Sequence, residues 1–378
     1  MKGMNDMPEN TVRRRRPPIK KKCRGALAAK IAAGIAVLLV VAVIGAMASG
    51  VSVGSVKRMV KNMLGDYVYA IPLVGDWSGN ANEAYKLMRD KKKELDDGAI
   101  AFFIQTDPHG RAVPTALWMQ LRDRSVKNIA LGDVTTDYFN EKELQAFRKI
   151  MDPVSNKISV FGNHDVWTKS DEAANYETLE ACFPSSGKQS VDEYGYFSVV
   201  DDEAHVKYLV VSPYYINLET GSNGADVTVK TAQMKWLLDE MSAEDGYDMI
   251  VLMHQVYAGT YYTREGNAEE AKNLPVMLTD LWQLMADRKN KRSGTIVDGE
   301  GVSHAYDFSN MKTELLCSLH GHMHEELMRA EDGLTAYAAD WLAEDYTCTL
   351  GLIDRSGKRM YIWKFNKHEV LDMLELPI

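Results

Sequence analysis

The sequence predicts a layered α/β fold, and three observations predict it. Five apolar runs with the character of strands each stop at a short polar cluster. Segments with helical apolar spacing lie between such runs, the alternation that a layered fold needs. Beyond the apolar N-terminal stretch the chain is long enough for one large core, and nothing requires a second folded domain.

Taken in order, the first element is a basic tail, residues 1–30, with ten Lys/Arg against two Asp/Glu. It is followed by a stretch, Ile31–Val56, without a charged side chain. At 1.5 Å per residue that stretch exceeds a bilayer's hydrocarbon core of ~30 Å, so residues 31–53 are expected to form one transmembrane signal-anchor helix. The positive-inside rule keeps the tail cytoplasmic and puts the rest, as a single-pass protein of the cell membrane, on the extracytoplasmic side. A cleavable signal peptide competes, because Ala46-Met47-Ala48 resembles a cleavage site; the long basic region and generous apolar stretch favour an uncleaved anchor. After residue 30 the chain carries 34 basic and 51 acidic residues, a net charge of −17, which gives no nucleic-acid footprint.

Residues 54–98 form a connector, interrupted at Gly75–Asn80, with Asn82–Leu95 a charged helical candidate. The globular domain, residues 99–378, opens on the run Ala99–Gln105 and continues with Lys127–Leu131, Lys157–Phe161, Met249–Met253 and Leu315–Leu319. Val206–Val211 is a further strand, ended by Ser212-Pro213. Glu141–Met151, Thr231–Met241 and Leu278–Arg288 have helical spacing. Thr347–Ile353 and Arg359–Phe365 read as a hairpin around Asp354–Gly357.

The clusters that end the five main runs are Asp107-Pro108-His109, Gly132-Asp133, Gly162-Asn163-His164-Asp165, His254 and Gly321-His322-Met323-His324. Strands that finish together at a sheet's carboxyl edge gather such residues into one crevice. The gathered inventory is carboxylate, amide oxygen and imidazole, which suits Mn²⁺, Zn²⁺ or Fe. Asp133, on a turn begun by Gly132, can give one oxygen to each of two divalent ions. Asp107 and His109 lie on one side of that bridge, Asn163 and His254 on the other. His322 and His324, two residues apart, would point the same way on extended backbone and serve neighbouring ions. No Cys lies in any cluster, which argues against a closed structural zinc site. Five of the nine histidines fall inside this ordered set, too many to treat as scattered loop or core residues.

In these five motifs the chain resembles the calcineurin-like metallophosphoesterase superfamily, from about Ala99 to about Phe365. The resemblance implies a four-layer α/β/β/α sandwich and two divalent metal ions. Asp107, His109, Asp133 and His324 would hold the first ion, and Asp133, Asn163, His254 and His322 the second. It implies hydrolysis of phosphate mono- or diesters by a metal-bridging hydroxide, with His164 the catalytic imidazole and Asp165 its orienter. One departure is Thr136, where many relatives carry an acidic or amide residue; Asp137 follows it. The tyrosinate of purple acid phosphatases would also fall at Thr136, so an Fe(III) charge-transfer centre is disfavoured.

Tyr257–Lys272 and Asn290–Asn310 are long connections suited to the rim of a site. Tyr261 and Tyr262 would stack on an organic leaving group or, more simply, cover loop surface; His320 would be a packing residue at a strand end. Cys182, Cys317 and Cys348 are too few for a disulfide framework, and Cys317 in its apolar run is expected to be a buried thiol. The expected partners are therefore a phosphate ester and, through residues 31–53, a membrane. A non-catalytic metal-binding scaffold or sensor of the same fold is the alternative; it would ordinarily lack a ligand or His164, and neither is missing.

Overall fold

Alternate side chains of the strand Ile100–Gln105 enter two different cores. Ile100, Phe102 and Ile104 face a second sheet, while Ala101 and Phe103 lie beneath helices, as the two-residue period of a strand requires. The strand Asp248–Met253 repeats the pattern, with Ile250 and Leu252 between the sheets and Met249, Val251 and Met253 turned to the outer layer. These are features of a computed structural model, which describes residues 76–96, 98–111, 114–136, 139–167, 176–190, 195–214, 227–270 and 280–378.

Among the described residues one sheet has six strands, in the order Leu374–Pro377, Arg359–Phe365, Cys348–Asp354, Ile100–Gln105, Lys127–Ala130 and Lys157–Ser159. The other has nine, with Val206–Val210, Asp248–Met253, Leu315–His320 and Leu334–Ala338 side by side and parallel at its centre. The last three strands of the first sheet are parallel too. Helices Asp76–Lys92 and Thr115–Gln120 cover the first sheet, and Thr231–Ser242 and Leu281–Lys289 cover the second. The layers thus run helix, sheet, sheet, helix in a mixed α/β fold.

Local sequence accounts for the elements that frame the site. Glu141–Met151 is helical because Leu144, Phe147 and Met151 recur on one face and are buried. Asn140 caps it, its side chain accepting from the backbone of Lys142 and Glu143 at 3.1 and 3.4 Å. Glu141 and Glu143 sit in its first turn and Arg148 and Lys149 in its last, the arrangement the helix dipole favours.

Two expectations need correction. The connector's interruption at Gly75–Asn80 is overridden, since a helix runs from Asp76 through Gly79 to Lys92 and packs on the first sheet. A mid-helix glycine costs about 1 kcal/mol. Burying Trp77, whose Nε1 donates to the Tyr346 carbonyl at 2.7 Å, returns about 3 kcal/mol and wins. Residues 290–310 are not a loose connection either; Ser293–Val297 and Ser303–Asp307 pair as an antiparallel hairpin. Elsewhere the expected strand ends shift by only one or two residues, the ordinary uncertainty of such boundaries. The basic tail and the expected membrane segment lie outside the described residues. No described helix is long and apolar enough to cross a membrane.

Candidate metal centre

The parallel strands deliver their polar ends to one place. Residue 107 follows the strand Ile100–Gln105, residue 133 follows Lys127–Ala130, and residue 163 follows Lys157–Ser159. From the other sheet, His254 follows Asp248–Met253, and His322 and His324 follow Leu315–His320. The backbone of His322 donates to Asp107 Oδ2 at 3.0 Å, which ties the two sheet edges together.

The loops that carry these side chains are strained at the candidate ligand positions themselves. Asp107, His109, Asp133, His322 and His324 all have φ between 43° and 71°, the left-handed region that non-glycine residues seldom enter. Such strain clusters where geometry is dictated by function. It also corrects one detail of the sequence reading, because His322 and His324 are not on extended backbone and their rings part. His322 Nδ1 lies 3.2 Å from His254 Nε2, and His324 Nε2 lies 3.0 Å from His109 Nε2. The turn at residue 132 has no room for a side chain: a Cβ there would stand 2.6 Å from the Gly162 nitrogen and 2.8 Å from His254 Nδ1.

Two overlapping ligand groups result. Asp107, His109, Asp133 and His324 each offer an atom within 4.8 Å of the others, as do Asp133, His254 and His322. Asp133 belongs to both. Its Oδ2 is 3.3 Å from His254 Nε2, and its Oδ1 accepts from the His164 amide at 2.9 Å. Asn163 begins a short helix, Asn163–Val166, beside them.

Backbone carbonyls settle the tautomers. His109 Nδ1 lies 3.1 Å from the Thr135 carbonyl, and His254 Nδ1 is bonded to the Leu131 carbonyl. Each ring must donate there, so its Nε2 is the atom aimed inward and left for a proton or a metal ion. His109 Nε2 lies 3.0 Å from His324 Nε2, and His254 Nε2 lies 3.3 Å from Asp133 Oδ2, to which it donates when the ring is protonated. Asn163 Oδ1 and His322 Nε2 are buried without a hydrogen-bond partner, and the buried Asp107 Oδ1 faces the Nε2 atoms of His324, His254 and His109 at 3.2, 3.9 and 4.0 Å. Buried acceptors of this kind are costly unless a cation or proton satisfies them, so the donor set fits divalent metal.

Electrostatics say the same. Burial opposes charge on His254, yet the carboxylates of Asp133 and Asp107 prevail and raise its pKa to about 9. Burial would raise Asp133, but the adjacent His254 charge holds that carboxyl well below the usual range. Burial and the neighbouring His254 push His322 down to about 3. A protonated His254, 3.3 Å from Asp133 and 3.9 Å from Asp107, supplies the positive charge that these two buried carboxylates call for.

His164 lies at the edge of this group, its side chain 31% exposed and its Nε2 4.0 Å from Asp133 Oδ2. The expected orienting role of Asp165 is not what the geometry gives. Asp165 Oδ1 accepts from the backbone of Val134 and Thr135 at 2.8 and 3.0 Å, and Oδ2 from Gly162 at 2.8 Å. The carboxylate therefore clamps the loop that bears Asp133 to the turn that bears Asn163. Burial and the Asp133 charge push its pKa up to about 7 against those three donors. His164 is oriented instead by the Thr136 carbonyl, 3.0 Å from its Nδ1. Thr136 is itself held by Glu143, which accepts from its amide at 2.7 Å and its hydroxyl at 3.1 Å. Asp137 lies outside the described residues.

His320 is a packing residue, as expected. It is fully buried, with Nδ1 2.7 Å from the Gln255 carbonyl and Nε2 2.7 Å from the Ser318 hydroxyl. Tyr261 is buried and its hydroxyl accepts from the Tyr257 amide, so it is not available for stacking on a ligand; Tyr262 is 43% exposed. Cys182, Cys317 and Cys348 are free and buried. Sequence reasoning missed Trp341, which stacks on His324, and the carbonyls of Leu131, Thr135 and Thr136. A solitary Trp beyond a strand carries no pattern, and a carbonyl carries no residue signature at all.

No family model matches this chain, and no curated protein matches it. Among solved structures it is similar to a predicted phosphoesterase from Streptococcus pneumoniae, at 10% identity and a TM-score of 0.30, covering 74% of this chain and 98% of that one. A putative 5′-nucleotidase from Staphylococcus aureus shows 14% identity and a TM-score of 0.38, over 74% of this chain and 54% of that one. A phosphoesterase from E. coli shows 11% identity and a TM-score of 0.29, over 73% and 98%. Overlap at this level carries no argument about chemistry, which has to come from the site itself.

Proposed function

We propose that this chain is a dinuclear-metal hydrolase of phosphate mono- or diesters. The observation that carries the reading is Asp133, one carboxylate within reach of two separate ligand groups. Asp107, His109 and His324 would complete the first group, and Asn163, His254 and His322 the second. Two bound divalent ions would acidify a water and neutralise charge on a phosphoryl group.

The protein's own residues supply the rest. Asp107 and Asp133, both buried, keep negative charge fixed beneath the substrate position. His164 Nδ1 donates to the Thr136 carbonyl, so Nε2 is the atom that, in the imidazolium form, would give its proton to the departing oxygen. His164 is the more exposed side of the pair, where an ester can approach. No side chain needs to form a covalent phospho-intermediate.

The proposal includes location. Residues 31–53 anchor the chain, and residues 99–378 work on the extracytoplasmic side. The sequence pattern is its support, and protease accessibility in intact cells tests it. The activity is tested with the purified full-length chain in detergent, given Mn²⁺, Zn²⁺ or Fe and an aryl phosphate monoester or diester. Turnover that a chelator abolishes is expected. A folded chain that takes up two ions yet turns over no ester would instead make it a metal-binding scaffold.

A further inference from the structure

We propose that Trp341 is a positioning residue for His324, holding that imidazole at the first ligand group; this rests on the two-metal reading above. His324 is the ligand candidate most in need of support. Its side chain is 40% exposed, whereas those of Asp107 and His254 are fully buried. His109 and His254 are each oriented by a backbone carbonyl, the usual arrangement for an imidazole that binds metal. His324 is given a flat wall instead. The Trp341 indole lies parallel to its ring, with centroids 4.4 Å apart and planes within 6°. The same indole meets His109 edge-on at 6.1 Å.

The wall is rigid relative to the ligands it serves. On one side of Trp341, the Ala339 amide donates to the His320 carbonyl at 2.9 Å; on the other, the Leu342 amide donates to the Thr106 carbonyl at 2.9 Å. Thr106 directly precedes Asp107, and His320 lies two residues before His322. Asp340 fixes the turn between these anchors, accepting from the Trp341 amide at 2.8 Å and from Lys364 at 2.9 Å. An imidazole bound to a cation carries more positive charge than a free one, and an indole face attracts positive charge. The stack therefore tightens when metal is bound and opposes outward swing of His324.

The test is Mn²⁺ titration of the full-length chain, following free Mn²⁺ by electron paramagnetic resonance, for wild type, W341A, W341L and W341F. W341L keeps apolar volume without a flat ring, and W341F keeps the ring. The expected result is that W341A and W341L weaken one of two sites by about tenfold or more and leave the other unchanged, while W341F restores the weakened site. If W341A does not fold, the contrast between W341L and W341F decides. Wild-type affinity at both sites in W341L would overturn the role of Trp341 and leave the two-metal reading standing. Absence of Mn²⁺ uptake by wild type would overturn both.

Discussion

The backbone amide of His164 donates to Asp133 Oδ1 at 2.9 Å. This joins the proposed proton donor and the proposed shared ligand in one hydrogen-bonded unit, so neither can move without the other. Because the link uses the His164 backbone and not its ring, the imidazole can be removed while the carboxylate stays in place. H164A should bind metal as wild type does and lose about 10²–10⁴-fold in kcat, the usual worth of a positioned acid or base. Parallel metal analysis and steady-state kinetics check this. Loss of metal together with activity would instead make His164 a ligand.

Asp165 should matter for the frame before it matters for chemistry. Its two oxygens satisfy three backbone donors, from Val134, Thr135 and Gly162. D165A leaves those N–H groups buried and unpaired, at about 1 kcal/mol or more each. Denaturant unfolding of the metal-free chain should show a loss of about 3 kcal/mol. An unchanged midpoint would mean water replaces the carboxylate and the clamp is dispensable.

Glycine at position 132 is required by space as well as conformation. Its φ is 87°, and a Cβ would meet the Gly162 nitrogen at 2.6 Å. G132A must separate the Asp133 loop from the Asn163 turn, so it should lower metal occupancy as well as stability. Calorimetric metal titration and thermal unfolding report the two effects separately.

The site should also show its charge in pH dependence. The His254 pKa is raised to about 9 in the metal-free fold, against an ordinary value of about 6.5. A raised histidine contributes stability that is complete below about 6.5 and is lost as pH rises through about 9. Metal must displace that proton, so apparent metal affinity should rise with pH over the same window. Thermal unfolding in chelator should give a Tm that falls between pH 6.5 and 9, and the fall should vanish in H254Q. A Tm that climbs across this range would contradict the assigned charge.

Much of this was legible in residue order, and the reason is geometric. A side chain placed just after a strand is fixed by the strand's direction, so the positions of Asp107, Asp133, Asn163 and His254 at the sheet edges could be read from apolar runs alone. Hairpin and helix spans such as Glu141–Met151 followed from simple periodicity. What failed was whatever depends on contacts between distant segments. The helix through Gly79 exists because Trp77 has a tertiary pocket. The adjacency of Asp165 to His164 in the chain suggested a contact that the helix Asn163–Val166 turns away, sending the carboxylate back to the Asp133 loop. The orienting carbonyl of Thr136 and the Trp341 stack arise from folding and leave no local trace.

Whether two cations share Asp133 is decided by diffraction from crystals of the Mn²⁺-loaded chain, collected at the manganese absorption edge. Two anomalous peaks about 3.5–4 Å apart are expected, one on either side of the Asp133 carboxylate. A single peak in a fully loaded crystal, or peaks that leave Asp133 without metal contact, would contradict that sharing.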